Sequence, residues 1–504
     1  MKKYDVIVVG TGSANIVTDG ALKQGLKVAQ IEKGAFGGTC LNRGCIPTKV
    51  MVTAADYVRE VGELHHIGVE TGPAHINWGK MSQRVWQKIN ESKAILADYK
   101  KVENLGIYQG TGFFTGPKTM QVRYNDGTLS EEITADKIFL GVGARSNISP
   151  LAGLEEAGYL TSESLFGHKY PKKPYKSLII IGGGPIGSEF AHVFAAAGTQ
   201  VTLVQHNTRL LPKEDEEMSE QIRVEFQQMG IQVYLNQQPL QVRIEKGQKL
   251  LSFRNRNTNE LHEVGADEIL IATGIRPNTD LLNVENTAIA IDKSGWIQTN
   301  EFLETSAAGI WAFGDVNGVA PFRHKANYEA EILVHNLFAG NIPENWRWAR
   351  YDVVPAVTYT YPQVAHVGLT EQQAVNAGYQ VKTAKHQYSS TAKGFAMGFE
   401  PGALDDGFVK IVANETDNCI LGMHIIGSQA SILIQPFVNL MNAGKIEIKA
   451  IHEEIASPTA AQLRARKLVR DLDPHSIISI GETMTPHPSL SEVSMWTQYY
   501  YENK

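Results

Sequence analysis

Two segments of the chain repeat the same order of apolar strand, helix and apolar strand. Residues 4–9 form a continuous apolar run, typical of a buried parallel strand, and a helical pattern leads from there to Gly25 and a second strand at 27–31. The order returns at 177–181, 188–197 and 200–204. A glycine-rich turn joins the first strand to the helix in both segments. The pattern therefore predicts two βαβ units built on parallel sheets.

The pattern changes from about residue 351. Strand-like runs at 356–359, 408–413 and 421–426 alternate with helices at 370–377 and 430–442, without further glycine-rich phosphate turns. We expect an α+β domain that packs rather than binds a nucleotide. A chain of 504 residues is too long for one core, and we predict domains at 1–150, 151–275, 276–350 and 351–504.

The composition is that of an ordinary globular protein. The net charge is −6, with 43% hydrophobic and 20% charged residues, so neither a nucleic-acid surface nor a membrane surface is indicated. No apolar run is long enough to span a bilayer, and three cysteines cannot make a secreted disulfide scaffold. The chain passes into its first strand without a charged and apolar leader. We expect a cytoplasmic protein.

The first glycine-rich turn has the features of a dinucleotide site. Gly10, Gly12, Ser13 and Asn15 follow the strand, and Glu32 ends the second strand 22 residues after Gly10. Glycine lets the backbone approach a pyrophosphate, the helix N-terminus faces it, and the acid can accept ribose hydroxyl protons. Asn15 stands where glycine or alanine is usual. Because a cysteine pair follows within a few residues, we expect this nucleotide to carry the redox ring itself, which favours a flavin.

The second turn, GGGPIG at 182–187, predicts a second dinucleotide and hence electron transfer between the two. Its following strand ends in Gln205 and His206, with Arg209 close by. An acid at this place would select NAD by holding the ribose 2′-hydroxyl, whereas a neutral or basic cluster tolerates the 2′-phosphate of NADP. Gln205 could also bond a free hydroxyl. NADPH and NADH therefore both stay open, with NADPH favoured.

The segment 37–49, GGTCLNRGCIPTK, places Cys40 and Cys45 five residues apart at the opening of a predicted helix. In an ideal helix this offset turns the side chains about 140° apart, so a bridge needs a distorted first turn, and a small strained ring is reducible. The helix start, Arg43 and Lys49 favour a thiolate. Two buried apolar cysteines or half of a metal site are the alternatives. We favour redox chemistry and expect no metal, because only Cys419 remains.

Two further positions are candidates on spacing alone. Asp315 follows the strand-like run 310–312 and is either a ligand to sugar or polyol hydroxyls or a surface turn residue. His487 lies five residues before Glu492, a carboxylate that could hold one tautomer for acid and base work. A histidine near the C-terminus is otherwise more often an ordinary surface residue.

These residues together resemble the flavin-dependent pyridine nucleotide-disulfide oxidoreductases, the group of glutathione reductase, dihydrolipoamide dehydrogenase and mycothione reductase. The likeness covers nearly the whole chain, through GGTCLNRGCIPTK, GGGPIGSEFA, ATGIRPN, AFGDV and HPSLSE in that order. It implies an α/β fold with two Rossmann-like dinucleotide-binding domains, for FAD and NAD(P), and a central domain completing the FAD site. A C-terminal α+β dimerisation domain follows. Residues 457–484 look like an insertion, which we expect to shape the substrate mouth or the dimer rim.

The resemblance also implies roles in catalysis. Cys45 would be the thiol against the flavin and Cys40 the interchange thiol that meets the substrate. His487, oriented by Glu492, would act in the active site of the partner subunit of a homodimer. An ion pair near the flavin ring would consist of Lys49 and Glu189.

Cofactor contacts are expected at the glycine-rich turns and at the strand ends beside them. In the first lobe and the segment that completes it, the candidates are Gly10, Gly12, Ser13, Asn15, Glu32, Lys33, Gly38, Thr39, Lys49, Gly112, Gly143, Gly314 and Asp315. In the second lobe, they are Gly182, Gly184, Ile186, Gly187, Gln205, His206 and Gly274.

The implied activity is that of an FAD-dependent NAD(P)H:disulfide oxidoreductase. Hydride passes from NAD(P)H through FAD to the Cys40–Cys45 pair and on to a small disulfide, a reaction of cell redox homeostasis. One alternative is an NAD-dependent dihydrolipoamide dehydrogenase of a 2-oxoacid dehydrogenase complex. Another is a flavin redox sensor without turnover, against which the His487–Glu492 pair argues, because a sensor needs no acid for a leaving thiol.

Overall fold

The computed structural model describes residues 1–403 and 405–502. Its strands are β1 (Lys2–Val9), β2 (Val28–Glu32), β3 (Leu105–Gly116), β4 (Thr119–Tyr124), β5 (Ile133–Leu140), β6 (Ala144–Ser146), β7 (Ser177–Ile181), β8 (Gln200–Val204), β9 (Gln232–Tyr234), β10 (Gln237–Glu245), β11 (Gln248–Asn255), β12 (Leu261–Ala266), β13 (Glu268–Ile271), β14 (Ile275–Pro277), β15 (Ile310–Ala312), β16 (Ala356–Thr358), β17 (Gln363–Gly368), β18 (Val381–Gln387), β19 (Phe408–Asn414), β20 (Ile420–Gly427), β21 (Gly444–Glu447) and β22 (Val469–Leu472).

The helices alternate with these strands in the first two lobes. They are α1 (Ala14–Lys23), α2 (Gly38–Arg43), α3 (Cys45–Glu63), α4 (Trp78–Ile89), α5 (Glu91–Tyr99), α6 (Leu154–Ala157), α7 (Ser162–Leu165), α8 (Pro185–Ala196), α9 (Glu216–Gln228), α10 (Arg323–Leu337), α11 (Glu371–Asn376), α12 (Ala392–Ala396), α13 (Ala430–Leu433), α14 (Gln435–Asn442), α15 (Pro458–Ala465), α16 (Ser491–Met495) and α17 (Thr497–Glu502). Within the described ranges, none of them combines the length and apolar content needed to cross a membrane.

The first sheet is built around β1, which is buried over most of its length. It pairs in parallel with β2 and β5, and β15 returns from the central segment of the chain to pair with β5. The strands β3 and β4 extend the sheet beyond β2 as an antiparallel hairpin. Residues near 310 therefore complete the first lobe, and α10 packs with α1 on one face of its sheet.

The second lobe repeats the plan with four parallel strands in the order β13-β7-β8-β9, beside an antiparallel sheet of β10, β11 and β12. The C-terminal sheet is antiparallel, in the order β16-β17-β20-β19-β18. The expected fold class, two parallel dinucleotide-binding lobes and a C-terminal α+β domain, is confirmed. The numerical boundaries between domains stay a prediction.

Helix α3 lies between the first two lobes and fixes their contact. Met51 and Val52 of α3 belong to one buried cluster with Phe190 and Phe194 of α8. Because α3 begins at Cys45 and α8 begins within the second glycine-rich turn, this packing brings the cysteine segment to the boundary between the lobes.

The insertion before the histidine motif packs along residues 301–348 of its own chain. Arg464 of α15 donates two hydrogen bonds of 2.7 Å to Glu301, whose carboxylate is fully buried. Leu463 joins Phe302 and Trp348 in a small apolar cluster. These contacts give the insertion a packing role. A place at the substrate mouth or dimer rim stays a prediction.

Candidate active site

The two cysteines lie on separate helices because the chain breaks at Gly44. Cys40 belongs to the short α2 and Cys45 begins α3, with Gly44 between them outside helical geometry, at φ −142° and ψ −117°. A side chain on Gly44 would meet the carbonyl oxygen of Thr39 at 3.1 Å. The expected distorted first turn of one helix is therefore wrong: the two sulfurs face each other across a break between helices. Both cysteines are free thiols in this structure.

The pKa values of the two thiols are shifted in opposite directions. A hydrogen bond from Cys40 lowers the pKa of Cys45 to about 7, and positive charge near it from His487, Lys49 and Arg323 acts in the same direction. The same hydrogen bond, together with burial, raises the pKa of Cys40 well above its ordinary value. The two pKa values therefore favour a thiolate on Cys45 and a protonated thiol on Cys40.

His487 is placed to take that proton. Its Nε2 lies 3.2 Å from Cys40 Sγ, and its Nδ1 lies 2.6 Å from Glu492 Oε1. A carboxylate beside Nδ1 favours the tautomer with hydrogen on Nδ1, which leaves the Nε2 lone pair facing the thiol. The His487 and Glu492 side chains are each 13% exposed. The two residues of the predicted acid–base pair therefore lie together beside Cys40.

This contact is made within one chain. We expected His487 to reach the cysteines of a partner subunit, whereas here it touches its own Cys40. The reason is the path of residues 443–486, which run back along the same chain through the Arg464–Glu301 ion pair and the Arg347–Glu482 ion pair.

The predicted ion pair between the lobes is also formed. Lys49 Nζ lies 2.7 and 2.6 Å from the two carboxylate oxygens of Glu189, and it sits 4.4 Å from the ring centre of Tyr359. Glu189 also accepts the backbone N–H of Tyr359 at 3.0 Å. One buried carboxylate thus joins α3, α8 and the C-terminal domain. Its expected place near the flavin ring stays a prediction.

The sulfur and imidazole atoms also form a candidate metal grouping. The ligand atoms of Cys40, Cys45 and His487 all lie within 4.8 Å of one another. Such a set suits a thiophilic ion only while the thiols are reduced. A disulfide-forming pair beside an acid–base histidine accounts for the same three residues without an ion.

The first glycine-rich turn is held by the predicted acid. Glu32 Oε2 accepts hydrogen bonds from Thr11 N at 3.0 Å and Thr11 Oγ1 at 2.6 Å, and Oε1 accepts from Gly34 N at 2.7 Å. A carboxylate offers about four acceptor positions, so room for a ribose hydroxyl remains. Glycine is required at position 38, where φ is +68° and a Cβ would lie 2.6 Å from the Cα of Gly12.

Asp315 has the environment expected of a ligand to hydroxyl groups. Among the described residues it makes no side-chain hydrogen bond, and burial raises the pKa of its carboxyl. The turn that carries it is rigid, because Glu329 accepts the backbone N–H of Gly314 at 2.6 Å and Lys325 donates to the Gly314 carbonyl at 3.0 Å. Both of these charged side chains are fully buried. A half-buried carboxylate without a side-chain hydrogen bond in the described part of the chain fits a polyhydroxyl chain such as the ribitol of a flavin.

The side chain of Gln205 points into the second glycine-rich turn. Its Oε1 accepts the N–H of Gly183 at 3.0 Å, and its Nε2 donates to the Arg209 carbonyl at 3.2 Å. The outward group at this place consists of His206, Arg209 and Arg256, and Arg256 donates to the His206 carbonyl at 3.3 Å. The sequence pattern missed Arg256, because it follows the antiparallel strand β11, 50 residues after His206.

The other predicted cofactor contacts are mostly glycines at strand ends. A Cβ added at Gly143, Gly184 or Gly274 would have no atom within 4 Å. The backbone at these three glycines is therefore open to a ligand. Gly112 instead packs against Ile31 inside the first lobe, and Ile186 is 39% exposed at the start of α8. The remaining candidates lie on the glycine-rich turns, in the first turns of α1, α2 and α8, or directly after β2: Gly10, Ser13, Asn15, Lys33, Thr39, Gly182 and Gly187. Their roles toward a cofactor stay predictions.

Two glycine-turn lobes that meet at a dithiol, with a histidine to move its proton, define a flavin-dependent pyridine nucleotide-disulfide oxidoreductase. Comparison with known proteins agrees. The family model "Pyridine nucleotide-disulphide oxidoreductase" matches residues 4–346, and its dimerisation domain matches residues 354–466. The chain belongs to this family.

The relatives are reductases and dehydrogenases. Mycothione reductase of Mycobacterium tuberculosis is 33% identical over 448 residues, which cover 88% of this chain and 94% of that protein. Dihydrolipoyl dehydrogenase of Bacillus subtilis is 31% identical over 499 residues, 97% and 96% of the two chains. The flavoprotein disulfide reductase RclA from Escherichia coli shares the fold, with a TM-score of 0.74, 24% identity, and coverage of 99% of this chain and 100% of that chain.

The protein is therefore an enzyme that uses FAD and a pyridine nucleotide to act on disulfides or dithiols. The predicted activity class is confirmed, and the alternative of a sensor without turnover is not supported. The C-terminal family match indicates a homodimer. The flavin fits the first lobe through the glycine turn at Gly12, through Asp315, which has no side-chain hydrogen bond among the described residues, and through the Arg323 guanidinium, 3.6 Å from where a Cβ on Gly12 would lie.

Proposed function

We propose that the enzyme takes electrons from NADPH and reduces a low-molecular-weight disulfide in the cytoplasm. The observation that carries this proposal is the 3.2 Å contact between Cys40 Sγ and His487 Nε2, with Glu492 on the other ring nitrogen. A bound flavin supplies the hydride chemistry that links the nicotinamide to the cysteine pair. The residues of the chain supply the thiol exchange that follows.

The exchange starts from the reduced pair. His487 removes the proton of Cys40, and the Cys40 thiolate attacks one sulfur of the substrate disulfide. The leaving thiolate takes the proton back from His487 and departs as the first thiol. Cys45, already held as thiolate, then attacks Cys40 in the mixed disulfide, re-forms the Cys40–Cys45 bond and releases the second half of the substrate as a thiolate, which takes a proton from water. One disulfide is thereby reduced to two thiols, and one dithiol is oxidised to a disulfide.

The preference for NADPH is supported by the charge around the second turn. His206 and Arg256 are exposed and Arg209 is partly exposed at the end of β8. The Arg209 guanidinium makes two long contacts, 3.5 Å to the Pro212 carbonyl and 4.0 Å to Glu216. Gln205, which stands where an acid would repel a phosphate, is neutral and bonded to the turn. Guanidinium groups bind phosphate with two parallel hydrogen bonds, so this cluster suits a 2′-phosphate.

The direct test is steady-state turnover with NADPH and NADH against oxidised glutathione, coenzyme A disulfide, bacillithiol disulfide, mycothiol disulfide and lipoamide. We expect a low-molecular-weight disulfide to be reduced with a higher kcat/KM for NADPH. The double variant Arg209→Ser with Arg256→Ser should lower kcat/KM for NADPH by about tenfold or more and leave the value for NADH nearly unchanged. Arg254→Ser, an exposed arginine two positions before Arg256, is the matched control.

The results separate the alternatives. Equal losses with both nucleotides would contradict the phosphate role of these arginines. Turnover restricted to lipoamide and NADH would assign the chain to the dihydrolipoamide dehydrogenase alternative. Failure of every disulfide in the panel would overturn the proposed substrate class.

We also propose that the active site is shared between subunits, as the family resemblance implies. In the dimer, the tail of each chain would make the contacts of His487 with the partner rather than with its own Cys40. Exchange of an identical segment between two copies keeps every contact and changes only which chain supplies it. Leu440, Leu490 and Val493 around the tail are 58%, 73% and 74% exposed, and a second copy would cover such apolar side chains.

A further inference from the structure

Three consecutive residues in the first turn of α10 contact three different parts of the active site. Arg323 reaches the turn at Gly12 and the cysteine pair. Lys325 holds the Gly314 turn that carries Asp315. The residue between them, His324, points to the acid–base histidine. None of these three was a candidate on sequence pattern alone.

Both ring nitrogens of His324 are used. Its Nε2 lies 2.8 Å from the carbonyl oxygen of Pro355, and its Nδ1 accepts the backbone N–H of His487 at 3.3 Å. The ring is only 7% exposed and stacks on Phe322, with centres 5.2 Å apart and planes inclined by 11°. The imidazole therefore joins the loop before β16 to the backbone of the histidine motif.

These two contacts require one state of the ring. The Pro355 carbonyl needs a donor on Nε2, and the His487 N–H needs a lone pair on Nδ1, which only the neutral tautomer protonated on Nε2 provides. Burial, together with the nearby His487, lowers the pKa of His324 to about 4. Cys40 and Glu492 contact the ring of His487, and Arg323 and Lys325 are the neighbours of His324 in α10. His324 is thus neutral when His487 works.

A second contact holds the same segment at the next residue. The hydroxyl of Tyr359 donates to the carbonyl oxygen of Pro488, and the backbone N–H of Tyr359 donates to Glu189. The His487–Pro488 backbone is therefore held at its N–H by His324 and at its next carbonyl by Tyr359. Glu492 holds the ring of His487 at Nδ1, and these two backbone contacts hold the segment from which the ring projects.

We propose that His324 is a positioning residue, which fixes the backbone of His487 and so aims its Nε2 at the sulfur of Cys40. This inference rests on the acid–base role proposed for His487. His324 itself touches neither thiol nor substrate, so its effect reaches the reaction only through His487. A displacement of about 1 Å at a reacting group costs on the order of a hundredfold in rate, which sets the scale of the effect.

The test compares His324→Leu with His324→Gln in the full-length, flavin-loaded enzyme. Glutamine has one donor and one acceptor at the end of its side chain and can bridge the Pro355 carbonyl and the His487 N–H, whereas leucine can do neither. Two quantities are measured. The first is the pH dependence of Cys40 alkylation by iodoacetamide in the dithiol form, mapped by peptide mass. The second is kcat and KM with NADPH and disulfide.

We expect His324→Leu to slow Cys40 alkylation at neutral pH, to move its pH profile upward, and to lower kcat by about tenfold or more, with KM for NADPH unchanged. His324→Gln should stay within about threefold of wild type in both measurements. His335→Leu is the matched control. His335 lies on the same helix and bonds the Asn345 carbonyl at 3.0 Å, so its loss should leave both measurements unchanged.

Two results would overturn the proposal. One is a leucine variant with the alkylation profile of the wild type. The other is a glutamine variant as impaired as the leucine variant, which would show that the two-ended hydrogen bond is not what matters. The alkylation measurement needs no disulfide substrate. The wild-type enzyme could reduce no disulfide in the panel while His324→Leu still shifts the pH profile of Cys40 alkylation. That result would contradict the proposed function and leave the positioning role of His324 intact.

Discussion

Cys40→Ser is expected to abolish disulfide turnover and to leave a slow oxidation of NADPH by oxygen. The Cys40 sulfur is the one that faces His487, at 3.2 Å, and serine is too weakly acidic to attack a disulfide at neutral pH. The first lobe, with Glu32 and Asp315 in place, keeps its contacts because none of them involves Cys40. Turnover should fall by more than about a thousandfold, since the nucleophile itself is removed.

The controls for this variant are the other two cysteines. Cys419→Ser removes an exposed thiol in the C-terminal domain and should leave turnover unchanged. Cys45→Ser should permit one attack on a disulfide and then stop at the mixed disulfide with Cys40, which mass spectrometry detects. A Cys40→Ser protein purified without flavin would show instead that this residue supports the cofactor site.

His487→Gln is expected to lower kcat for disulfide reduction by about a hundredfold to ten-thousandfold, the range for loss of a general acid and base. Glutamine keeps a polar group near Cys40 but cannot take its proton, and the pKa of that thiol is raised by its hydrogen bond to Cys45 and by burial. The loss should therefore be largest near neutral pH and shrink as rising pH deprotonates Cys40 without help. Stopped-flow measurement over pH 6 to pH 10 checks both the size and the direction.

Mixing this variant with Cys40→Ser locates the histidine. If the site is shared, half of the randomly mixed dimers are hybrids with one intact site, and activity recovers to about a quarter of wild type. The alternative is that each chain completes its own site, as in the contact between Cys40 and His487 of one chain. In that case no site in a hybrid is intact and no activity returns. The shared site that we propose requires the recovery. Two wild-type samples mixed in the same way control for loss during subunit exchange.

The parts that local pattern controls were predictable from the sequence. Buried parallel strands, glycine turns and the acid at the end of β2 are encoded within about 30 residues of one another, and β1, α1 and β2 lie where the apolar pattern places them. The strand β18 was missed, because six of its seven residues are exposed and two are lysines, as befits an edge strand. The strand β17 was missed as well, a short run interrupted by a histidine.

The site itself was only partly predictable. The cysteine pair, Lys49–Glu189 and His487–Glu492 were found because each belongs to a motif. The break at Gly44 was not, since a glycine inside a helical pattern also fits an unbroken helix. Arg256 and His324 were missed because their partners, the carbonyl of His206 and the N–H of His487, are backbone groups 50 and 163 positions away. A side chain that bonds a backbone group far away in the sequence belongs to no motif with a fixed spacing, so the sequence pattern does not reveal it.

The passage of electrons from nicotinamide to sulfur is tested most directly by mapping thiols after reduction. Oxidised, flavin-loaded enzyme is mixed with one equivalent of NADPH in the absence of oxygen and quenched with iodoacetamide. The masses of its cysteine-containing peptides are then measured by mass spectrometry. We predict that Cys40 and Cys45 change from unlabelled to labelled, while Cys419 is labelled before and after. Stable bleaching of the flavin with both of these cysteines still unlabelled would contradict the account.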